Sequence, residues 1–249
     1  MCRQLAYLGA PRPLSGLLLD APHALVRQSW APRDMRGGGT INADGFGVGW
    51  YPPGAREPVR YRRATPMWSD AALPALAAAT LSGAVLAAVR SATVGMPVVE
   101  TAAAPFATGP WLFSHNGVVA GWPATVTKLA ERLPTTDLLT LDAPTDSALL
   151  WALVRDRLRA GVPMAEAVAA TVSDVEAAAP GSRLNLLLTD GTAVVATTSG
   201  HSLAVREDSS GVLVSSEALD EHDGWRPVPD RHLVTATEHG IDFTSLGEA

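Results

Sequence analysis

The run Gly45-Phe46-Gly47-Val48-Gly49-Trp50 alternates glycine with a larger side chain. A period of two is that of a β-strand, so the glycines share one face and leave it bare. A bare face lets another backbone or a ligand come close, and a chain that carries such a strand must bring a second layer or a binding cleft against it.

The surrounding sequence supplies further strands and some helices. Arg3 to Gly9 reads as a first strand, closed by the turn residues Gly9-Ala10-Pro11-Arg12-Pro13. The three glycines Gly37-Gly38-Gly39 argue for a mobile loop. Strands are expected at Val59 to Arg63, Ala84 to Arg90, Trp111 to Ser114 and Val118 to Gly121. Ser69 to Thr80 reads as a helix with Ser69 as its cap and Asp70 in the first turn. Thr145-Asp146-Ser147 opens a helix whose apolar residues Leu149, Leu150, Leu153, Val154 and Leu158 keep helical spacing, and a second helix is expected over Met164 to Ala178. Asp190-Gly191 between two β-prone runs predicts a hairpin, and Gly211 to Ser215 a further strand. No long linker, low-complexity tract or repeat divides the chain, so residues 1–249 read as one α+β domain.

Composition removes several classes of function. The single cysteine excludes an intramolecular disulfide and a Cys-rich zinc site. The six histidines show no paired ligand spacing, and Lys128, the sole lysine, lies outside any glycine-rich loop, so neither a metal site nor a phosphate cradle is expected. The net charge of −6 provides no basic field for nucleic acid or anionic lipid. Arg56, Arg60, Arg62 and Arg63 form a local basic run that reads as a solvated hairpin face. The charge-free stretch from Ala71 to Val89 is alanine-rich, broken by Pro74 and Gly83, and reads as a helix followed by a strand rather than a membrane span. The first residues lack the charged and apolar regions of a signal peptide, so a cytoplasmic location is expected.

The lone cysteine stands at position 2. Removal of the initiator methionine would place a thiol and a free α-amine on one residue. An α-amine titrates at roughly 7.7–8.0, low enough to serve as a general base toward its own side chain. Downstream stands Ser114-His115-Asn116-Gly117. Asn-Gly is by default a hairpin corner; beside a nucleophile, the Asn116 amide and the Gly117 N–H are also two donors for an oxyanion. Arg90, with Thr93 three residues on, ends an apolar run and matches a carboxylate bidentately. Asp146 complements a helix dipole or binds an ammonium.

Cys2, the Asn42-to-Trp50 strand, Arg90-Ser91-Ala92-Thr93, His115-Asn116-Gly117 and Thr145-Asp146-Ser147 together resemble the class II glutamine amidotransferases of the N-terminal nucleophile (Ntn) hydrolase superfamily. The resemblance implies a four-layer αββα sandwich, two antiparallel sheets between helix layers, with the nucleophile at the start of the first strand. It implies that Cys2 attacks a γ-glutamyl amide, that its own amine relays the proton, and that Asn116 with Gly117 holds the oxyanion. Arg90 would take the α-carboxylate and Asp146 the α-ammonium, with Thr93 and His115 completing the substrate-binding set. The implied partner is a small γ-glutamyl substrate, with no cofactor, metal, nucleic acid or membrane. Family members commonly flank the arginine with a histidine and an aromatic residue, whereas this chain has Ala88-Val89-Arg90-Ser91, which points away from free glutamine. With no room for a synthase domain, simple hydrolysis is the first expectation; a glutaminase subunit feeding a separate synthase, or a catalytically silent scaffold, are the alternatives.

Overall fold

The computed structural model describes residues 2–34, 36 and 41–247; the Gly37-Gly38-Gly39 expectation lies outside the described residues. Along the chain the strands are β1 (Arg3–Pro13), β2 (Phe46–Trp50), β3 (Val59–Arg63), β4 (Leu81–Val89), β5 (Phe106–Thr108), β6 (Trp111–Val118), β7 (Arg183–Thr189), β8 (Ala193–Thr198), β9 (Ala204–Asp208), β10 (Gly211–Ser215), β11 (Arg226–Pro227), β12 (His232–Thr237) and β13 (Gly240–Ser245). They form a seven-stranded sheet in the order β11-β9-β10-β1-β4-β2-β3 and a six-stranded sheet in the order β13-β12-β8-β7-β6-β5. All neighbours run antiparallel.

Strand periodicity sorts the core into three layers. On β1, Ala6 and Leu8 join Leu86, Leu112, Leu187, Val194, Val214 and Val234 in the layer between the sheets. Their neighbours Leu5 and Tyr7 point the other way and pack with Val85, Ala87, Leu17, Leu18, Leu73 and Ala77 beneath the short helices of the first sheet. The outer face of the second sheet, with Phe113, Leu184, Leu186 and Leu188, is covered by the helices Asp146–Arg159 and Met164–Ala178. Trp151 anchors that contact, stacked on Phe113 with ring centroids 5.3 Å apart. The αββα sandwich expected from the sequence is the observed fold.

The bare face of β2 is used for close packing. Phe46 and Val48 point into the helix-covered layer, while a Cβ on Gly47 would meet the Ala104 carbonyl oxygen at 2.3 Å and one on Gly49 would meet Leu112 Cδ1 at 2.7 Å. The hairpin at Asp190-Gly191 forms as expected, with Gly191 at φ +87° and the Asp190 carboxylate accepting from the Thr192 and Ala193 N–H groups. The stretch from Ala71 to Val89 is a helix, Leu73–Ala79, followed by β4.

Four expectations are corrected. β1 does not stop at a turn near Gly9 but continues to Pro13 after a register shift between Leu8 and Arg12, so the proline-rich stretch ends an irregular strand. Ser69 is not the cap of the next helix; it closes a 3-10 turn, and Asp70 Oδ1 takes the Ala72 and Leu73 N–H groups at 2.9 Å. The strand expected at 111–114 runs on to Val118 as β6, the one expected at 118–121 does not extend past Val118, and Asn116-Gly117 lies inside β6, paired with Asn185 and Leu184 of β7. The basic run is only partly solvated: Arg60 donates to the Pro105 carbonyl at 3.2 Å and Arg62 to the Ala103 carbonyl at 3.4 Å and the Asp142 carboxylate at 3.5 Å. Burial, with Arg62 nearby, pulls the Arg60 pKa down; these two side chains fasten the edge strand β3 to the segment before β5.

Gly47→Ala forces a methyl into a backbone carbonyl that no rotamer change can clear. The substitution is expected to destabilise the fold by about 1–3 kcal/mol, read as a lower urea midpoint at unchanged slope; an unchanged midpoint would refute the close-packing role of the glycine face.

Candidate active site

Cys2 sits directly before β1, whose first residue pairs with Val89 at the end of β4. The nucleophile candidate and Arg90 are thereby brought together at neighbouring strand ends. The Cys2 thiol lies 3.7 Å from the Ser91 carbonyl oxygen. The Arg90 backbone is held by the turn that precedes the glycine strand: its N–H donates to the Gly45 carbonyl at 2.7 Å, its carbonyl accepts from the Asp44 N–H at 3.0 Å, and the Asp44 carboxylate takes the Ala92 N–H at 2.8 Å. The guanidinium gives Nη1 to the Pro97 carbonyl at 2.8 Å, which leaves most of its fork for a ligand.

β6 forms the facing wall. Ser114, His115 and Asn116 are buried, and a Cβ on Gly117 would fall 1.8 Å from the Arg183 carbonyl oxygen, so position 117 admits only glycine. Asn116 Oδ1 is buried with no hydrogen-bond partner among the described residues.

His115 is fully committed. Its Nε2 lies 2.9 Å from the Arg183 carbonyl and its Nδ1 2.9 Å from Ser147 Oγ. A carbonyl only accepts, so Nε2 carries the proton and Nδ1 accepts from the Ser147 hydroxyl. Burial lowers the imidazole pKa, and neither nitrogen is free to take a proton from Cys2. Asp146 is buried at the start of its helix, where Oδ2 accepts from the Val119 N–H at 3.0 Å and Oδ1 from the Ser147 N–H at 2.8 Å. A carboxylate offers about four acceptor sites, so capacity for an ammonium remains.

These groups surround two adjacent cavities. Cys2, Arg90, Phe106, Ser114, His115 and Ser147 line the smaller, of about 20 Å³, room for one water by the criterion of about 10–15 Å³. Thr93 lines the larger, of about 470 Å³, with Met96, Val119 and Trp122. Asp146 stands between them, bonded to Val119 of one wall and Ser147 of the other. Of the residues named from the sequence, Cys2, Arg90 and His115 share one cavity and Thr93 borders the other, Asp146 is bonded to a wall residue of each, and Asn116-Gly117 follow His115 on β6 without lining either.

Other members of the site were not singled out. Arg3 is buried, and its guanidinium reaches three groups: Nη1 donates to the Cys2 carbonyl at 3.1 Å, Nε to Glu217 Oε1 at 2.8 Å, and Nη2 to the Asp34 carbonyl. Glu217 in turn accepts from the Arg33 N–H at 2.7 Å and the Asp34 N–H at 3.3 Å. Asn185, opposite Asn116, spans the loop after β8, donating to the His201 and Ser202 carbonyls and accepting from the Ser199 and His201 N–H groups. His201 takes the Arg183 Nε–H at 3.1 Å, and burial, with the Arg183 charge next, pulls its pKa down to about 4. The position of Arg3 beside Cys2 was a visible signal; nothing local marked Glu217 or Asn185.

A cysteine ahead of a central strand, an arginine at the neighbouring strand end and an interior Asn-Gly on a strand of the other sheet lie in a double-sheet sandwich, the arrangement that the resemblance to N-terminal nucleophile hydrolases leads one to expect. Residues 14–209 match the family model for glutamine amidotransferases class-II, and the chain belongs to that family. Over its whole length it is similar to two proteins named gamma-glutamyl-hercynylcysteine sulfoxide hydrolase. That of Mycolicibacterium smegmatis is 41% identical, covering 99% of this chain and 100% of the relative; that of Mycobacterium tuberculosis is 42% identical, covering 100% and 98%. Among solved structures, a glutamine aminotransferase class-II domain protein from Silicibacter pomeroyi superposes with a TM-score of 0.69 at 27% identity, covering 98% of this chain and 99% of that one.

Two outcomes follow from the charges. Glu217→Ala leaves the Arg3 guanidinium buried without its counter-charge and is expected to cost about 3–5 kcal/mol in chemical denaturation; a loss below about 1 kcal/mol would show the pair to be dispensable. His201 binds its proton at an ordinary 6.5 when unfolded and at about 4 when folded, so the unfolded state gains protons first on acidification. Stability is expected to fall by about 3 kcal/mol between pH 6.5 and 4 and to level below that, and His201→Gln should flatten that part of the pH–stability curve.

Proposed function

We propose that the protein hydrolyses the γ-glutamyl amide bond of γ-glutamyl-hercynylcysteine sulfoxide through a thioester on Cys2, releasing glutamate. Met1 is removed, and the freed α-amine takes the proton from the Cys2 thiol. The thiolate attacks the γ-carbonyl, and the resulting oxyanion accepts from the Asn116 amide and the Gly117 N–H. The α-ammonium returns the proton to the departing amine, the carbon–nitrogen bond breaks, and water then cleaves the thioester by the same relay. Arg90 binds the α-carboxylate of the glutamyl group, Asp146 its α-ammonium and Thr93 adds a hydroxyl, while His115 is a neutral wall.

The observation that carries this reading is that Cys2 and Arg90 open into one cavity whose histidine has both nitrogens engaged. That leaves the α-amine as the base within reach of the thiol. Full-length similarity to the two mycobacterial hydrolases supports the choice of leaving group, as does the absence of the usual histidine and aromatic residue around Arg90. On this reading residues 1–249 act as one hydrolytic domain in the cytoplasm, without cofactor or metal. Among the described residues no helix is long and apolar enough to cross a membrane.

Intact-mass analysis after brief exposure to the conjugate is expected to find Met1 absent and an acyl adduct on Cys2. Cys2→Ala should abolish turnover, and Asn116→Ala should lower kcat by about 10²–10³. An active protein that retains Met1 would overturn the mechanism, and faster glutamate release from glutamine than from the conjugate would make the protein an ammonia-supplying subunit instead.

A further inference from the structure

Strand alternation decides which residues face the layer between the two sheets. That layer is apolar over most of its extent, filled by residues such as Ala6, Leu112, Leu187 and Val214. Toward Cys2 the same alternation brings in three carboxamides: Gln4 two positions before Ala6 on β1, Asn185 two before Leu187 on β7, and Asn116 four after Leu112 on β6. All three are buried.

One of them joins the two sheets. Gln4 Nε2 donates to the Asn185 carbonyl at 3.0 Å, and Asn185 stands directly opposite Asn116 in the β6–β7 ladder. The receiving end is firmly held, because the Asn185 side chain makes four hydrogen bonds to the backbone of residues 199–202. The donating side chain is only half satisfied: Gln4 Oε1 is buried with no hydrogen-bond partner among the described residues. A dry acceptor costs stability, and methionine, of similar size, would fill the same space without one. What the glutamine adds is a bond of defined length and direction between two strands in different sheets, which apolar contact does not supply. A local cost of this kind, set beside a nucleophile, fits a role in placement.

The reaction proposed above draws on both strands. Cys2 directly precedes β1, and Asn116 of β6 is one of the two oxyanion donors. Such a donor acts when it lies about 2.7–3.1 Å from the oxyanion, so the separation of the two strands bears directly on the rate. We propose that Gln4 is a positioning residue: its amide N–H, donated to the Asn185 carbonyl, sets the distance from the strand that carries the nucleophile to the strand that carries Asn116. The inference rests on the hydrolase reading, and Gln4 acts through Asn116 rather than on the reacting atoms.

A double-mutant cycle tests the assignment, with kcat and KM for γ-glutamyl-hercynylcysteine sulfoxide measured on the parent, Gln4→Met, Asn116→Ala and the double variant. Gln4→Met is expected to lower kcat about 10- to 100-fold and to leave KM within about twofold, since Arg90 and Asp146 still hold the glutamyl group. In the Asn116→Ala background the same substitution is expected to lower kcat by less than about threefold, because residues that act through one another are not additive. A glutamine that only supports the fold would lower kcat equally in both backgrounds. That result, or a kcat for Gln4→Met within about twofold of the parent, would overturn the inference, and Gln4→Leu carries the same cycle if Gln4→Met does not fold. If the parent cleaves glutamine in place of the conjugate, the leaving-group assignment falls and the cycle is read on glutamine; if it cleaves neither, the hydrolase reading falls and this inference with it.

Discussion

The carbonyl oxygen of Ala104 lies 2.3 Å from where residue 47 would carry a β-carbon, and Leu112 fills the matching space over residue 49. That approach draws the segment leading into β5 against the edge of the first sheet. Ala102, Ala104 and Phe106 of the same segment form part of the wall of the cavity that Cys2 opens into, so the depth of the site depends on a strand face without side chains. The preceding turn adds a second constraint, because Asp44 and Gly45 grip the backbone of Arg90 through two hydrogen bonds and Asp44 holds the Ala92 N–H through a third. One short stretch therefore both closes the sandwich and fixes the arginine that shares a cavity with Cys2.

Chain termini usually fray, and a nucleophile proposed at position 2 must be exempt. Here β1 is hydrogen-bonded on both sides, to β4 and to β10, and the first side chain inside it is tied across more than two hundred positions to Glu217. A buried ion pair is weak evidence for stability, since desolvation offsets much of the attraction. Its value lies in placement. The Arg3 fork has direction, and its second and third contacts go to the Cys2 and Asp34 carbonyls, so the charge pair sets where the chain start lies relative to the Asp34 backbone.

What could be read from the sequence follows the range of the forces involved. The glycine alternation, the Asp-Gly hairpin and the helix from Asp146 announce themselves because their determinants are within a few residues, and the structure reproduces each. Asn116-Gly117 shows the limit. Its local preference is for a corner, but pairing with β7 and the approach of the Arg183 carbonyl require an extended residue without a side chain at 117, and no local signal carries that. β12 owes its place to the distant β8, and β13 only folds back onto β12, so neither strand is marked by a strong local signal. Arg60 and Arg62 misled for the opposite reason: a solvated charge run and a run that holds backbone carbonyls have the same composition. The family motifs name residues from distant segments, and three of them, Cys2, Arg90 and His115, line one cavity, because such motifs summarise contacts between segments.

The protonation states follow from the same packing. His115 and His201 are both held neutral, chiefly by burial, and both are linked through Arg183, by its carbonyl in one case and its guanidinium in the other. Neutral imidazoles add no positive charge next to Cys2 and compete for no proton near neutral pH. A low-dielectric wall also strengthens any hydrogen bond made to a developing oxyanion. Had His115 been free to accept, the thiol would have had a second base on the far side of the cavity, and proton transfer would have been divided between two groups facing different bonds. With Nε2 donating to a carbonyl and Nδ1 filled by Ser147, the proposed mechanism gives the proton route on the Cys2 side to its own α-amine, which would lie on the same residue as the sulfur and next to the bond that must break.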